Sequence, residues 1–166
     1  KKLSFYKALE ISLSAFINFI QRFESLAGGL AAGETDLERK NELIVIAKNC
    51  RNIAAGPPAG FYEALQLTWF VQLILQIESN GHSVSLGRLD QYLYPFYKKD
   101  REAGLISDEF VLELLESTWL KLLSVNKIRS WSHTRYSAGG PLYQNVTIGG
   151  QTVSGQDAVN PLSFLI

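Results

Sequence analysis

The sequence lacks methionine, and its 166 residues include one cysteine, Cys50, and two histidines. One cysteine excludes a disulfide framework and a multi-cysteine metal or iron–sulfur site built by this chain alone. It fits a reducing, cytoplasmic setting. The sequence also shows no charged stretch followed by an apolar run and a small-residue cleavage site, which would mark an export signal. Because it starts at Lys1 without methionine and stops within an apolar run, we expect it to be an excerpt of a longer protein.

Net charge is absent as well, since sixteen Lys and Arg balance sixteen Asp and Glu. No overall field attracts the chain to nucleic acid or to an anionic membrane, so we expect neither as a partner. Hydrophobic residues make up 46% and charged residues 19%, which excludes intrinsic disorder. The length is sufficient for a hydrophobic core.

The minimal motifs of several site classes are missing. HExxH, CxxC and GxxxxGK[ST] do not occur, so zinc protease, zinc ribbon and phosphate-loop interpretations lack their residues. The glycines between 139 and 155 do not form GxGxxG and are predicted to make turns. We therefore expect no metal or cofactor to be bound by this chain itself.

The first part of the sequence has helical periodicity. Apolar residues recur every three or four positions over Leu3–Leu26, which predicts a long amphipathic helix that is broken at Ala27–Gly33. Thr35 and Glu38 have the spacing of a capping box for a second helix that runs to about Ala54.

A third helix is predicted over Phe61–Ile77, which is apolar nearly all round. Thr68, Gln72 and Gln76 form a polar stripe on one side of it, so we interpret the segment as a buried helix and not as a membrane span. Asn80–Gly81 suits the C-terminal end of such a helix. An extended segment should follow, and helix should resume near residue 88.

The last part of the sequence combines helix and strand signals. Ser107 is predicted to cap a helix that runs through Leu123. Tyr143–Ile148 has strand composition, and Gly149–Gly150 could turn it into Gln151–Val153. The predicted fold class is mainly α with few short strands.

The junction Glu78–Ser85 brings an acid, an imidazole and two hydroxyls to the end of an apolar helix. Its histidine and the following serine, His82 and Ser83, either bind a small polar ligand there or only satisfy backbone groups at the helix end. His133 is predicted to lie in an irregular segment held by cation–π and hydrogen-bond contacts. Cys50 is interpreted as a buried structural thiol.

Three runs carry a resemblance to a known family: Ala64–Gln66, Leu75–Tyr97 and Pro141–Gly150. They closely resemble the glycyl radical enzymes of the pyruvate formate-lyase type. The version with Gly81–Ser83 is most similar to the cobalamin-independent glycerol and diol dehydratases. The resemblance is strong from about residue 40 to the end, and we assign 1–166 to a single segment of the pyruvate formate-lyase-like domain.

The resemblance implies a parent enzyme several times longer, built on a ten-stranded α/β barrel. In such enzymes a radical S-adenosylmethionine activating enzyme installs a glycyl radical near the C-terminus. The radical oxidises a cysteine, whose thiyl abstracts a substrate hydrogen, and a nearby glutamate removes a hydroxyl proton. Neither the cysteine–glutamate loop nor the glycyl radical domain matches this sequence, and Cys50 is not that cysteine. We therefore expect the isolated chain to be inactive.

Of the family's functional residues, only the His–Ser pair maps onto this sequence. The resemblance implies that His82 is both catalytic and substrate-binding and that Ser83 binds substrate, with glycerol or a 1,2-diol as that substrate. Its other implied partners are the activating enzyme, the rest of the parent chain and further copies in a homo-oligomer. Cleavage of a C–N, C–S or C–C bond stays open as an alternative, as does a catalytically inert fragment or interaction unit.

Overall fold

A computed structural model describes residues 2–79, 84–125, 130–137 and 144–166. Helix dominates these ranges, and the strands are two residues long, which confirms the mainly α prediction. The elements are α1 (Lys2–Gly33), α2 (Leu37–Ala55), α3 (Phe61–Glu78), β1 (Gly87–Arg88), α4 (Leu89–Glu102), α5 (Asp108–Leu123), α6 (Trp131–Ser137), β2 (Val146–Thr147) and a 3-10 helix (Pro161–Phe164).

The chain divides into two compact units, Lys1–Leu67 and Thr68–Ile166. The first contains α1, α2 and the start of α3, and the second contains the rest of α3 and all later elements. The assignment of residues 1–166 to one segment of a longer enzyme is a statement about homology. A division into compact units does not test it, and it stays a prediction.

In the first unit, α1 packs against α2 and is longer than predicted. Helix continues through Gly28 and Gly29 to Gly33, so the predicted break at Ala27–Gly33 is wrong. Glycine weakens a helix by only about 1 kcal/mol, and packing of an amphipathic face can offset that loss. Here Ala27 and Ala31, which flank the glycine pair, are buried.

The start of α2 differs from the prediction by one residue. Its N-cap is Asp36, whose carboxylate accepts a 2.8 Å hydrogen bond from the backbone N–H of Arg39. The expected cap, Thr35, instead donates its backbone N–H to Glu34 at 2.8 Å. The helix ends at Ala55, as the following glycine and prolines predicted.

By length and composition, α1 is the one described helix that could cross a membrane, and 6% of its most apolar window is buried. Core helices of soluble proteins and signal sequences share this length and composition. Its N-terminal half exposes a large set of apolar side chains: Leu3, Phe5, Leu9, Ile11, Leu13 and Ile17.

The core of the second unit is built largely by α4 and α5. Ser107 caps α5 as predicted, because its Oγ accepts the backbone N–H of Phe110 at 3.2 Å. The buried apolar side chains of this unit are Phe70, Leu89, Leu93, Tyr97, Val111, Leu115, Leu122, Ala158 and Leu162.

The interpretation of α3 as a buried helix is right for one side only. Phe61, Leu65 and Phe70 are buried, whereas Leu75 and Ile77 are 44% and 62% exposed. Its apolar surface therefore extends beyond what the described residues cover.

The two strands pair in parallel, with Gly87 opposite Val146 and Arg88 opposite Thr147. The predicted turn from a strand over Tyr143–Ile148 into Gln151–Val153 is therefore wrong. Tyr143 lies outside the described residues, and Gln151 forms an isolated antiparallel bridge with Asp157. Short-range strand signals cannot identify a partner that lies about sixty residues earlier in the chain.

Candidate functional site

His82 and Ser83, the predicted substrate contacts, lie outside the residues that the structure describes. The described chain ends before them just after α3 and begins again at Val84. The candidate site is therefore described by what flanks the pair: the end of α3, the segment leading into β1 and the segment leading into β2.

These two leading segments lie side by side. The backbone N–H of Leu86 donates to the carbonyl of Asn145 at 3.1 Å. The N–H of Asn145 donates to Ser85 Oγ at 3.3 Å. Because the strands are parallel, both segments enter the pair from the same end.

Three glutamines form a hydrogen-bonded group beside these segments, which we call the glutamine cluster: Gln72, Gln76 and Gln144. Gln72 Nε2 donates to the carbonyl of Val84 at 2.8 Å and to Gln144 Oε1 at 3.1 Å. Gln76 Nε2 donates to the same Gln144 Oε1 at 3.3 Å. Gln144 Nε2 donates to the carbonyl of Leu122 at 3.2 Å. The cluster thus links α3, α5 and both leading segments.

Two members of the cluster are deeply buried, with Gln72 3% and Gln76 4% exposed. Within the described part of the chain, Gln76 Oε1 is buried and has no hydrogen-bond partner. Buried polar atoms are nearly always paired, so this oxygen can accept one more N–H or O–H donor. The polar stripe on α3 is the sequence signal for these two residues.

Tyr92, on α4, makes polar contacts with the segment that leads into β1 and with α3. Its hydroxyl donates to the carbonyl of Leu86 at 3.1 Å and also bonds to Thr68, the first residue of the stripe. Burial raises the pKa of Tyr92, and the bond to Thr68 offsets that only in part. Tyr92 is therefore a neutral hydrogen-bond donor near pH 7.

On the other side of β1, Asp90 is fully buried, and its Oδ2 is the centre of a polar group. This oxygen accepts from the backbone N–H of Gly149 at 2.7 Å, from Gln91 Nε2 at 2.9 Å and from Ser163 Oγ. Burial, the largest influence, opposes ionisation, but these bonds and the charge of Arg88 together lower the pKa of Asp90 below its usual value. Asp90 is an anion near neutral pH.

Arg88 completes this group from β1. Its Nε and Nη2 donate to the carbonyl of Gly149 at 3.0 and 2.6 Å, and its Nη1 donates to the carbonyl of Gln151 at 3.1 Å. We call the pair the Arg88–Asp90 clamp, because it binds both the N–H and the C=O of Gly149. A side chain at Gly149 is disfavoured twice, by its φ of 64° and by the 2.9 Å distance from a Cβ to Val159 Cγ2.

Sequence reasoning missed the clamp and Gln144. Their partners lie far apart in sequence: 59 residues separate Asp90 from Gly149, and 72 separate Gln72 from Gln144. A charged pair spaced Arg-x-Asp at the start of a helix is too common a pattern to predict such contacts.

The other predicted histidine, His133, lies in α6 and is exposed. This segment was predicted to be irregular, but it is helical. The expected cation–π contact is present, because the Arg135 guanidinium lies 5.7 Å from the Trp131 ring centre.

Cys50 is completely buried, which confirms its interpretation as a structural thiol. Burial, with the negative charge of Glu24, raises its pKa to about 11, although a hydrogen bond from Gln66 acts in the opposite direction. A thiol that is protonated and buried at neutral pH is a poor nucleophile.

Among the residues that the structure describes, no group of three or more His, Cys, Asp or Glu side chains could hold a metal ion.

Comparison with known proteins identifies the class. The chain belongs to the pyruvate formate lyase-like family, which it matches over residues 1–166. Among curated relatives, it is 60% identical over 166 residues to the probable dehydratase YbiW of Escherichia coli K12, covering 98% of this chain and 20% of the relative. It is 40% identical to the (2S)-3-sulfopropanediol dehydratase of Klebsiella oxytoca, with 99% and 20% covered. The resemblance inferred from the motifs is confirmed.

Solved structures agree. The chain superposes with a TM-score of 0.95 and 44% identity on a structure described as 1,2-propanediol dehydration in Roseburia inulinivorans, covering 99% of this chain and 21% of that one. The glycerol-bound B12-independent glycerol dehydratase of Clostridium butyricum gives a TM-score of 0.85 and 42% identity, with 91% and 19% covered. The chain thus spans about a fifth of the length of its relatives. Its fold matches the fold of the corresponding fifth of these glycyl radical enzymes.

Proposed function

We propose that this chain is part of a glycyl radical dehydratase that eliminates water from glycerol or a 1,2-diol, and that it supplies substrate contacts through His82 and Ser83. The observation that carries the proposal is the 0.95 TM-score and 44% identity to the structure described as 1,2-propanediol dehydration. The parent is a cytoplasmic homo-oligomer that binds a small polar substrate and depends on a radical S-adenosylmethionine activating enzyme. It binds neither nucleic acid nor membrane.

The glycyl radical, when installed in the parent, supplies the oxidising capacity for hydrogen abstraction. The residues of this chain handle the hydroxyl groups. The imidazole of His82 donates a proton to the departing hydroxyl, and the Ser83 hydroxyl holds the substrate by one hydrogen bond. A polyol presents several hydroxyl donors and acceptors, which suits this pair.

A C–S lyase is the second candidate. The chain is 41% identical to the isethionate sulfite-lyase of Oleidesulfovibrio alaskensis, about as much as to the sulfopropanediol dehydratase. A C–N or C–C lyase, or a catalytically inert fragment or interaction unit, is a further alternative. Sequencing the parent gene downstream separates the inert alternative from the enzymes, because only an enzyme requires the cysteine, its glutamate and the radical glycine.

The test uses the activated full-length parent with glycerol and propane-1,2-diol as substrates. His82→Ala should lower kcat by about 10²-fold or more, with a smaller change in KM, if general acid catalysis acts mainly in the transition state. Ser83→Ala should mainly raise KM, by about two- to tenfold, since a neutral hydrogen bond contributes on the order of 0.5 to 1.5 kcal/mol. Both rates are normalised to glycyl radical content measured by electron paramagnetic resonance.

His133→Ala is the matched control, because it removes the other histidine of the chain, which is exposed on α6. It should leave both constants unchanged. Wild-type kinetics in both His82→Ala and Ser83→Ala would contradict the assigned contacts. Turnover of isethionate and not of the polyols would keep the family but replace the dehydratase by the C–S lyase, and turnover of an amine only would replace it by a C–N lyase.

A further inference from the structure

The N-terminal half of α1 lacks the cover that the C-terminal half has. Every residue from Lys2 to Ala15 is exposed, whereas Ile20, Ala27 and Ala31 further along the helix are buried. With 32 residues α1 is about 48 Å long, and α2 with 19 residues is about 28 Å long. The helix that packs against α1 is therefore too short to cover all of it.

The end of α2 shows where its cover stops. In the last part of α2, Arg51 Nε pairs with Glu24 Oε1 at 2.7 Å, so this part lies beside the middle of α1. Gly56 caps α2, and two prolines follow it. Proline lacks a backbone N–H and clashes with the preceding turn of a helix, so α2 cannot continue along α1.

The uncovered half carries the same apolar side that α2 covers further along. We call Phe5, Leu9 and Leu13 the α1 stripe, and their side chains are 65%, 45% and 52% exposed. Steps of three and four residues lead from Leu13 through Phe16 to the buried Ile20, which places the stripe on the side of α1 that faces α2. The stripe thus continues the α1–α2 interface beyond the end of α2.

The opposite side of this half is polar. At 3.6 residues per turn, Lys7 lies about 160° around the helix from Leu9, and Ser14 lies near Lys7 on the wheel. Both are exposed. A helix at the surface of a folded protein keeps such a side in water and packs its apolar side. The pattern of α1 therefore fits cover on one side only.

The length of the relatives indicates what provides this cover. The chain covers 20% of the probable dehydratase YbiW, so about four-fifths of such a protein lies outside residues 1–166. A second copy would have to lose translational and rotational freedom in order to bind, whereas a contact within one chain avoids that loss. The stripe also extends an interface that is itself intramolecular.

We infer that the α1 stripe is the docking surface for an apolar face of the parent chain outside residues 1–166, packed within the same protomer. That face carries no charged group opposite the stripe, because the apolar side chains there offer such a group no partner. The inference depends on membership in the family and not on the dehydratase reaction, so it can fail while the proposed function stands.

The test uses the non-activated full-length parent and compares Leu9→Cys with the matched control Lys7→Cys. Both variants are labelled with a maleimide in the native state, and mass spectrometry of the α1 peptide gives each rate without interference from other cysteines. We expect Leu9→Cys to react at least about tenfold more slowly, since a covered thiol reacts only after local opening. Leu13→Cys replaces Leu9→Cys if the latter has a lowered melting temperature. Equal rates on the two sides of α1, whether fast or slow, would overturn the inference.

Photo-cross-linking identifies the covering chain. The full-length parent carries p-benzoylphenylalanine at position 5, where an aromatic ring already stands. We expect a product with the mass of one protomer, in which position 5 is joined to a peptide outside residues 1–166. A product with the mass of two protomers would assign the stripe to a second copy, and a cross-link to a peptide within residues 1–166 would assign it to this chain. Either result would contradict the inference.

Discussion

Asp90 is a buried carboxylate whose charge is stabilised by several hydrogen bonds and by Arg88. Its folded-state pKa lies below the ordinary value of 3.8, so its contribution to stability is present above about pH 4 and is lost as the pH falls through the folded pKa. Asp90→Asn keeps the shape and removes the charge. We expect it to destabilise the full-length protein at pH 7 by about 1.5 to 3 kcal/mol, typical of hydrogen bonds to a charged group.

Denaturant unfolding of wild type and variant between pH 7 and pH 3 measures this difference. It should be constant near neutrality and shrink below pH 4. Asp157→Asn is the control, because Asp157 is exposed and its Oδ1 accepts one backbone N–H, from Val159 at 2.9 Å. A destabilisation by Asp90→Asn that grew as the pH fell would contradict a lowered pKa.

Individual residues differed in how far their roles could be predicted. The burial of Cys50 was predicted from its place within a helix and the lack of a nearby histidine, and it is confirmed. His82 and Ser83 were predicted from adjacency and resemblance, and they stay predictions. Asp90 gave no signal, because its role depends on Gly149 and Ser163, which only the folded chain brings near.

Helices were predicted better than strands, for a physical reason. The cap of α5 depends on Ser107 and the N–H three residues later, so the local sequence contains both partners. The β1–β2 pair depends on residues such as Gly87 and Val146, about sixty positions apart, and no local pattern contains both. The end of α1 was missed because packing, not propensity, decides whether the glycine pair stays helical.

The glycine pair of α1 gives a prediction of its own. A Cβ at Gly28 or Gly29 would meet no atom within 4 Å, and neither residue has a positive φ. Gly28→Ala and Gly29→Ala should each stabilise the full-length protein by about 0.5 to 1 kcal/mol, because alanine loses less backbone entropy in a helix. Thermal unfolding followed by circular dichroism measures the change.

Ala27→Leu is the opposing control, because Ala27 is only 5% exposed and added methylenes would overpack its site. It should destabilise by about 1 to 3 kcal/mol. Destabilisation by Gly28→Ala would mean that this surface is occupied or that the helix ends before it.

At the scale of the whole molecule, the exposed apolar side chains on α1 and α3 fit a chain that spans about a fifth of its relatives. Its elements carry apolar surface that two compact units do not cover by themselves. In water, contiguous apolar patches beyond a few hundred Å² favour association. Fold class and family could nevertheless be predicted from the sequence, because helical periodicity and long motif runs do not depend on whether this apolar surface is covered.

The 166-residue chain, expressed alone, should therefore self-associate, and light scattering coupled to size-exclusion chromatography at micromolar concentration measures its mass. The triple variant Phe5→Glu, Leu9→Glu, Leu13→Glu should reduce association, since these residues are 45% to 65% exposed and follow one another at helical spacing. Lys7→Glu with Ser12→Glu adds the same negative charge to α1 without removing apolar surface, and should leave association largely unchanged. A monomeric wild-type chain that melts cooperatively would contradict the prediction. It would mean that the exposed face of α1 is stable in water without a partner.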